Sequence, residues 1–151
     1  MIVKKSFFLL AAFLISAPIA AAGETYGNLD GVQYVRNYDG DTITVNIPGV
    51  HPLLGDEIAI RVDGIDTPEI KGKCERERRL AREAKAVVAR LLVNAKSIRL
   101  VGVGRGKYFR ITAHVVADGV DVGDELLRRG LAVPYDGGRK SYGWCFGKAV
   151  P

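Results

Sequence analysis

Two pairs of acids stand where strand-like runs end. Asp39 and Asp41 flank Gly40 in "DGD", and Asp66 and Glu69 bracket Thr67 and Pro68 in "DTPE". Carboxylates brought from two loops offer the oxygen ligands that a hard cation such as calcium or magnesium takes. Read singly, each pair is more often a turn than a site, because Asp, Gly, Thr and Pro are common turn residues. The spacing is not that of the twelve-residue helix–loop–helix calcium motif, whose Gly and Glu are missing at their required offsets. Two arginines shift the balance. Arg61 lies five residues before Asp66, and Arg110 follows Lys107 and Tyr108. A cation held by carboxylates and flanked by guanidinium groups suits phosphodiester hydrolysis. The metal neutralises charge and positions water or phosphate. Arginine forks hold phosphate oxygens and stabilise added charge in the transition state. A carboxylate not tightly bound to the metal orients or deprotonates the attacking water.

Other chemistries are poorly served. There is no G-x-S-x-G and no cysteine beside a histidine. His51 precedes Pro52 in a loop, and His114 sits within a strand-like run as a packed or surface imidazole. With two cysteines, Cys74 and Cys145, and no C-x-x-C, structural zinc is not expected. In an exported chain an even pair more often forms a disulfide.

The candidate residues need elements to hold them. "VQYVRNY" (32–38) and "TITVNI" (42–47) read as a hairpin around "DGD". "PGVHPLLGD" reads as a loop, and "EIAIRVDGI" (57–65) as a third strand leading into "DTPE". In the next run Leu80, Ala84, Val87, Val88 and Leu91 recur at helical spacing opposite a charged face, which reads as solvated. "SIRLVGV" (97–103) and "YFRITAHVVA" (108–117) read as the fourth and fifth strands, and "VGDELLRRGLA" (122–132) as a second helix. The tail is turn-rich. The order suggests an α+β domain, mainly β, on a small, mainly antiparallel sheet of the kind that closes into a barrel.

The chain has 151 residues, the length of one domain. Residues 1–22 have the layout of a secretory signal peptide: Lys4 and Lys5, an apolar run from Phe7 to Ile15, then Ala20 and Ala22 as a small-residue cleavage site. The apolar run is short for a membrane span. Removing those two lysines takes the net charge from +5 to +3, which permits a polyanionic partner without demanding one. Residues 23–31 read as a loose arm and 32–151 as the working domain. An exported protein, periplasmic or extracellular, without a stable membrane partner is expected, and a monomer.

"DGDTI" (39–43), "IRVDGIDTPE" (60–69), "KYFR" (107–110) and "ELLRRGLA" (125–132) together resemble, in order and approximate spacing, the staphylococcal-nuclease-like (thermonuclease) family. The resemblance runs from about Val32 to Tyr135. It implies a five-stranded OB-fold barrel with two or three packed helices, and calcium-dependent cleavage of DNA and RNA that leaves 3′-phosphates with little sequence specificity. Matched by motif position, Asp41 and Asp66 are expected as carboxylate ligands of calcium and Thr67 as a carbonyl ligand. Glu69 would orient or activate water, and Arg61 and Arg110 would clamp the phosphate. Lys107, Tyr108 and Tyr135 would contact the nucleotide. Asp39 matches the first acid of the turn and is not a primary ligand. Phe109 departs from the family pattern, which commonly has glycine beside the arginine. The "GGRKSYGWC" tail is similar to that of exported bacterial members. Two rivals remain: a non-catalytic OB-fold module that binds single-stranded nucleic acid, and a structural domain whose acids are only turns.

Overall fold

The structure, a computed structural model, describes residues 25–149. The leader expected over 1–22 lies outside the described residues. The central sheet contains β1 (Gln33–Asn37), β2 (Thr42–Asn46), β3 (Ile58–Val62), β5 (Ile98–Arg105) and β6 (Ile111–Ala117), in the order β1-β2-β3-β6-β5. Neighbours are antiparallel except β3 and β6, which are parallel. This is the expected five-stranded OB-fold, mainly β. Short strands trim it: β4 (Ile65–Asp66) pairs with β8 (Val133–Pro134), β7 (Val120–Asp121) with β6, and β9 (Tyr142–Gly143) with β10 (Lys148–Ala149).

The arm read as loose is bonded from Tyr26 onward. Its backbone runs beside β5, with Leu29 and Leu100 exchanging hydrogen bonds at 2.9 and 2.8 Å, and Val32 N–H donating to Ile98 O at 3.2 Å. The arm therefore covers the edge that β5 would otherwise expose. Its polar composition hid this, because an edge partner held through its backbone needs few apolar side chains.

Alternation along β2, β3, β5 and β6 sends Ile43, Ile60, Leu100 and Val115 into one core, all fully buried. Helix α2 (Glu75–Val93) packs Ala84, Val87, Val88 and Leu92 against it, and α3 (Val122–Arg128) adds Val122 and Leu126. The start of α2 is capped twice. Cys74 Sγ accepts from Glu77 N–H at 3.5 Å, and the Glu77 carboxylate accepts from Lys73 N–H at 2.9 Å. Cys74 and Cys145 form a disulfide with Cα atoms 5.9 Å apart, so the tail is tied to this helix start.

Four larger differences from the sequence reading stand out. The third strand ends at Val62 rather than Ile65, because Gly64 turns left-handed (φ 76). His51 caps a short helix, α1 (Pro52–Gly55), where a loop was expected; its Nδ1 accepts from Leu53 N–H at 3.2 Å. The second long helix stops at Arg128 rather than Ala132, because Gly130 turns left-handed (φ 68) and Leu131 N–H bonds back to Leu126 O. The fifth strand begins at Ile111 rather than at Tyr108. Tyr108 and Phe109 are both left-handed (φ 58 and 59), and Gly106 N–H closes the turn onto Arg110 O at 2.8 Å.

Candidate active site

Asp41 stands at the end of the β1–β2 hairpin, in a turn that Asp39 shapes. Asp39 Oδ1 accepts the backbone N–H groups of Asp41 and Thr42 at 3.1 and 2.9 Å. Asn37 braces the turn from beneath, donating to Asp39 O at 2.7 Å and to Lys85 O of α2 at 3.1 Å. Gly40 is needed for close approach: a Cβ there would lie 2.9 Å from Ala84 Cβ and 3.0 Å from Thr67 Cγ2. Asp39 is buried. That burial, then the charge of Glu69, pushes its carboxyl above the usual range, against the hydrogen bonds from Thr42. Its role is that of a turn-former, one residue removed from the acid that faces the site.

Arg61 comes from β3, where its register partners are Thr42 on β2 and Thr112 on β6. The chain then turns at Gly64 (φ 76) into β4. There Asp66 pairs with Val133, and Tyr135 N–H donates to Gly64 O at 2.9 Å. The exit from α3 thus clamps the strand that carries Asp66. Pro68, buried, follows Thr67 and restricts the backbone on either side of itself.

Two acids and one guanidinium make the centre. Arg61 Nη1 pairs with Asp41 Oδ1, while Nη2 lies 3.6 Å from Asp66 Oδ1 and donates to Ile65 O at 3.1 Å. Asp41 Oδ2 accepts the N–H and the hydroxyl of Thr67 at 3.1 and 2.8 Å. Both carboxylates are 4% exposed. Burial pulls the Arg61 guanidinium below its ordinary pKa, the charges of Asp66 and Asp39 oppose this, and Arg110 adds to the lowering. Glu69 sits at the more open edge, about half-exposed.

Lys140 is a member of this cluster that motif spacing missed. Its ammonium lies 2.7 Å from Asp66 Oδ1 and 2.6 Å from Glu69 Oε1. Burial alone would lower its pKa; the bonds and charges of Asp66 and Glu69 outweigh that and raise it. Nothing in a basic residue of a turn-rich tail signals such a position.

Beside Arg61 a groove of about 440 Å³ opens, lined by Arg105, Lys107, Arg110 and Tyr135 among others. Arg110, the residue just before β6, lines the same groove as Arg61, close enough for its charge to act on the Arg61 guanidinium. Lys107 Nζ donates to Gly137 O at 2.8 Å, and Tyr135 OH to Gly138 O at 2.7 Å. Tyr108 is not among the lining residues. Its ring is 89% exposed, and Phe109 beside it is 82% exposed, with the Arg105 guanidinium 5.6 Å from the Phe109 ring centre. The structure therefore gathers Asp41, Arg61, Asp66, Thr67 and Glu69 into one cluster. It sets Arg110, Lys107 and Tyr135 along the adjoining groove and leaves Tyr108 at the rim.

The cluster fits a hard cation by its donors. They are all oxygens, and Asp66 Oδ1, which is buried, is met by two cationic groups, the Lys140 ammonium at 2.7 Å and Arg61 Nη2 at 3.6 Å. A buried carboxylate calls for positive charge beside it, which a hard cation supplies as well as an ammonium does.

Residues 59–143 match the family described as staphylococcal nuclease homologue. Among curated relatives, a protein named as a probable endonuclease in Schizosaccharomyces pombe is 33% identical over 92 residues, 56% of this chain and 40% of that protein. A second, named as probable endonuclease lcl3 in Schizosaccharomyces japonicus, is 33% identical over 97 residues, 60% of this chain and 41% of that protein. The chain therefore spans well under half the length of these two relatives, both of which are fungal.

Proposed function

Because this chain belongs to the staphylococcal nuclease homologue family, we propose that it is a calcium-dependent nuclease that hydrolyses DNA and RNA with little sequence specificity and leaves 3′-phosphates. The observation that carries the reading is the pair of buried carboxylates, Asp41 and Asp66, joined by Arg61 at the mouth of an arginine-lined groove. Asp41, Asp66 and the Thr67 carbonyl would hold the cation. When bound, calcium supplies positive charge that offsets the phosphate and the charge developing on it. Arg110 and Arg61 grip the phosphate oxygens from two strands, and Lys107 and Tyr135 align the nucleotide along the groove. Glu69, exposed enough to reach solvent, accepts the proton of the attacking water as its oxygen bonds to phosphorus and the 5′-oxygen leaves. We also propose that the chain is exported and acts as a monomer, with the bacterial affiliation that its tail suggests.

Incubation with plasmid DNA and with RNA tests the reading. Cleavage in calcium, its loss in chelator and its return on adding calcium are expected, with half-saturation on the order of 10⁻⁴ to 10⁻³ M, as in other extracellular calcium sites. Full activity in excess chelator would remove the metal from the scheme. Binding of uncleaved strands under every condition would favour the non-catalytic module.

A further inference from the structure

The segment after Tyr135 is held at both ends. At one end Lys107 and Tyr135 bond to the carbonyls of Gly137 and Gly138. At the other, Cys145 is joined to Cys74, and Arg76 Nη1 donates to Trp144 O at 2.8 Å. Trp144 is buried, and its ring meets Tyr142 edge-on with centroids 4.7 Å apart. Between these anchors Lys140 hangs over the acids, its ammonium shared by Asp66 and Glu69. Most ion pairs of long side chains are incidental surface contacts. This one is different, because one partner, Asp66, is almost fully buried and the ammonium is shared with a second carboxylate, Glu69. A cavity of about 460 Å³, lined by Asp66, Glu69, Lys73, Lys140 and Tyr142 among others, adjoins the contact and gives the ammonium room to withdraw.

We propose that Lys140 is a built-in counter-ion of the cation site, which neutralises Asp66 and Glu69 in the metal-free protein and must withdraw when the cation binds. The inference rests on the reading of Asp41 and Asp66 as cation ligands. An ammonium at 2.7 Å from Asp66 Oδ1 occupies the space that a divalent cation on the same oxygen requires. Arg61 Nη2 already lies 3.6 Å from that oxygen, so an ammonium and a divalent cation crowded onto it together would repel strongly in a partly desolvated site. Lysine suits the role, because a compact charge on a flexible four-carbon stem swings away without disturbing the backbone. Binding of the cation then costs the Lys140 contacts, so affinity is set lower than the oxygen donors alone would give. The same exchange frees Glu69 to face water only after the cation has arrived.

Calcium titration calorimetry on the full chain, at fixed pH and ionic strength and without nucleic acid, tests this apart from catalysis. Lys140→Met keeps the length of the stem and removes the charge; it is expected to bind calcium about tenfold more tightly or better. Lys148→Met makes the same change of net charge on the exposed end of the tail and is expected to bind as the unaltered chain does. Lys140→Arg keeps a charge over the acids and is expected to bind no more tightly than the unaltered chain. That comparison stands even where Lys140→Met folds poorly. Unchanged or weaker binding in Lys140→Met, equal tightening in Lys148→Met, or tightening in Lys140→Arg each overturns the counter-ion while leaving the cation site. No calcium binding by the unaltered chain or by Lys140→Met overturns the cation site and the counter-ion together.

Discussion

Two acid–arginine clusters of like composition differ in how they meet water. Glu75, Arg78 and Arg82 form the first on the solvent face of α2, with contacts of 3.1 and 2.7 Å and every side chain well exposed. Asp41, Arg61 and Asp66 form the second, nearly out of water. In the first, hydrogen bonds from Arg82, then Arg78, hold Glu75 below the usual carboxylate range, and every group keeps its hydration. In the second, burial works against the charge of Arg61, and the Asp66 carboxylate is shared between Arg61 and Lys140. Exposed charges can relax with water, so such a cluster binds nothing in particular. Buried charges cannot relax, and the negative charge at Asp66 is what a cation would answer.

The largest contrast is expected on removing one acid from each cluster. Asp41→Ala leaves a buried guanidinium short of its principal partner and should lower the stability of the metal-free protein by about 3 kcal/mol, along with loss of cleavage. Glu75→Ala should leave both the melting temperature and the cleavage rate where they were. Denaturant titration and plasmid cleavage of the two variants decide the matter. Equal melting temperatures would mean that water reaches the inner cluster as freely as the outer one.

The disulfide sits between the clusters, tying the start of α2 to the tail that carries Lys140. It closes a separation of 71 residues. Replacing both cysteines by serine should destabilise by up to about 4 kcal/mol on chain-entropy grounds. The inner cluster should feel this through the loosened tail, and α2 beyond its first turn, where Arg82 sits, should not. Hydrogen exchange that rises along 137–149 and stays unchanged over α2 beyond its first turn is the expected pattern. Uniform exchange along both segments would show that the tail is held without the bond.

Exchanging arginine for lysine probes geometry rather than charge. Arg61→Lys retains one positive charge but cannot span Asp41, Asp66 and the Ile65 carbonyl at once. Turnover should fall about 10²-fold, the scale of a lost transition-state donor, with weaker loss of binding to single-stranded DNA. Arg82→Lys should change neither. Affinity falling in step with turnover in Arg61→Lys would reduce the arginine to a phosphate anchor.

Periodicity made the frame legible. The β1–β2 hairpin, β3 and α2 follow from alternation and from apolar residues at helical spacing. The acids and Arg61 were legible as residue types near the ends of strand-like runs, and the separate roles expected of them came from the family resemblance. What stayed hidden depends on long-range partners. The arm over 26–32 is held by backbone bonds to β5, which leave no side-chain period. Lys140 reaches Asp66 from a tail whose composition says only that it turns. "KYF" at 107–109 has strand-like residues, yet tertiary closure of the turn sets Tyr108 and Phe109 left-handed.

That turn supplies the smallest and last test. Phe109 adopts φ 59 with its ring 82% exposed, so it carries backbone strain and little burial in return. A left-handed conformation costs a side-chain-bearing residue about 1–2 kcal/mol, and glycine escapes most of that. Glycine also has more freedom to lose on folding, which offsets part of the gain. Phe109→Gly should therefore stabilise the protein by about 0.5–1 kcal/mol. The remaining favourable contact of the ring is the Arg105 guanidinium at 5.6 Å, which is exposed and weak. If the ring acts only as bulk beside Arg110, cleavage should stay level or rise as the groove opens. If it stacks on a base at the rim, affinity for single strands should fall several-fold while turnover at saturation holds, the range of a lost base–aromatic contact. Measuring melting temperature, affinity and turnover on this one variant separates the two. A clear loss of stability would show that the exposed ring, like the buried acids, is held by its surroundings and not merely tolerated by them.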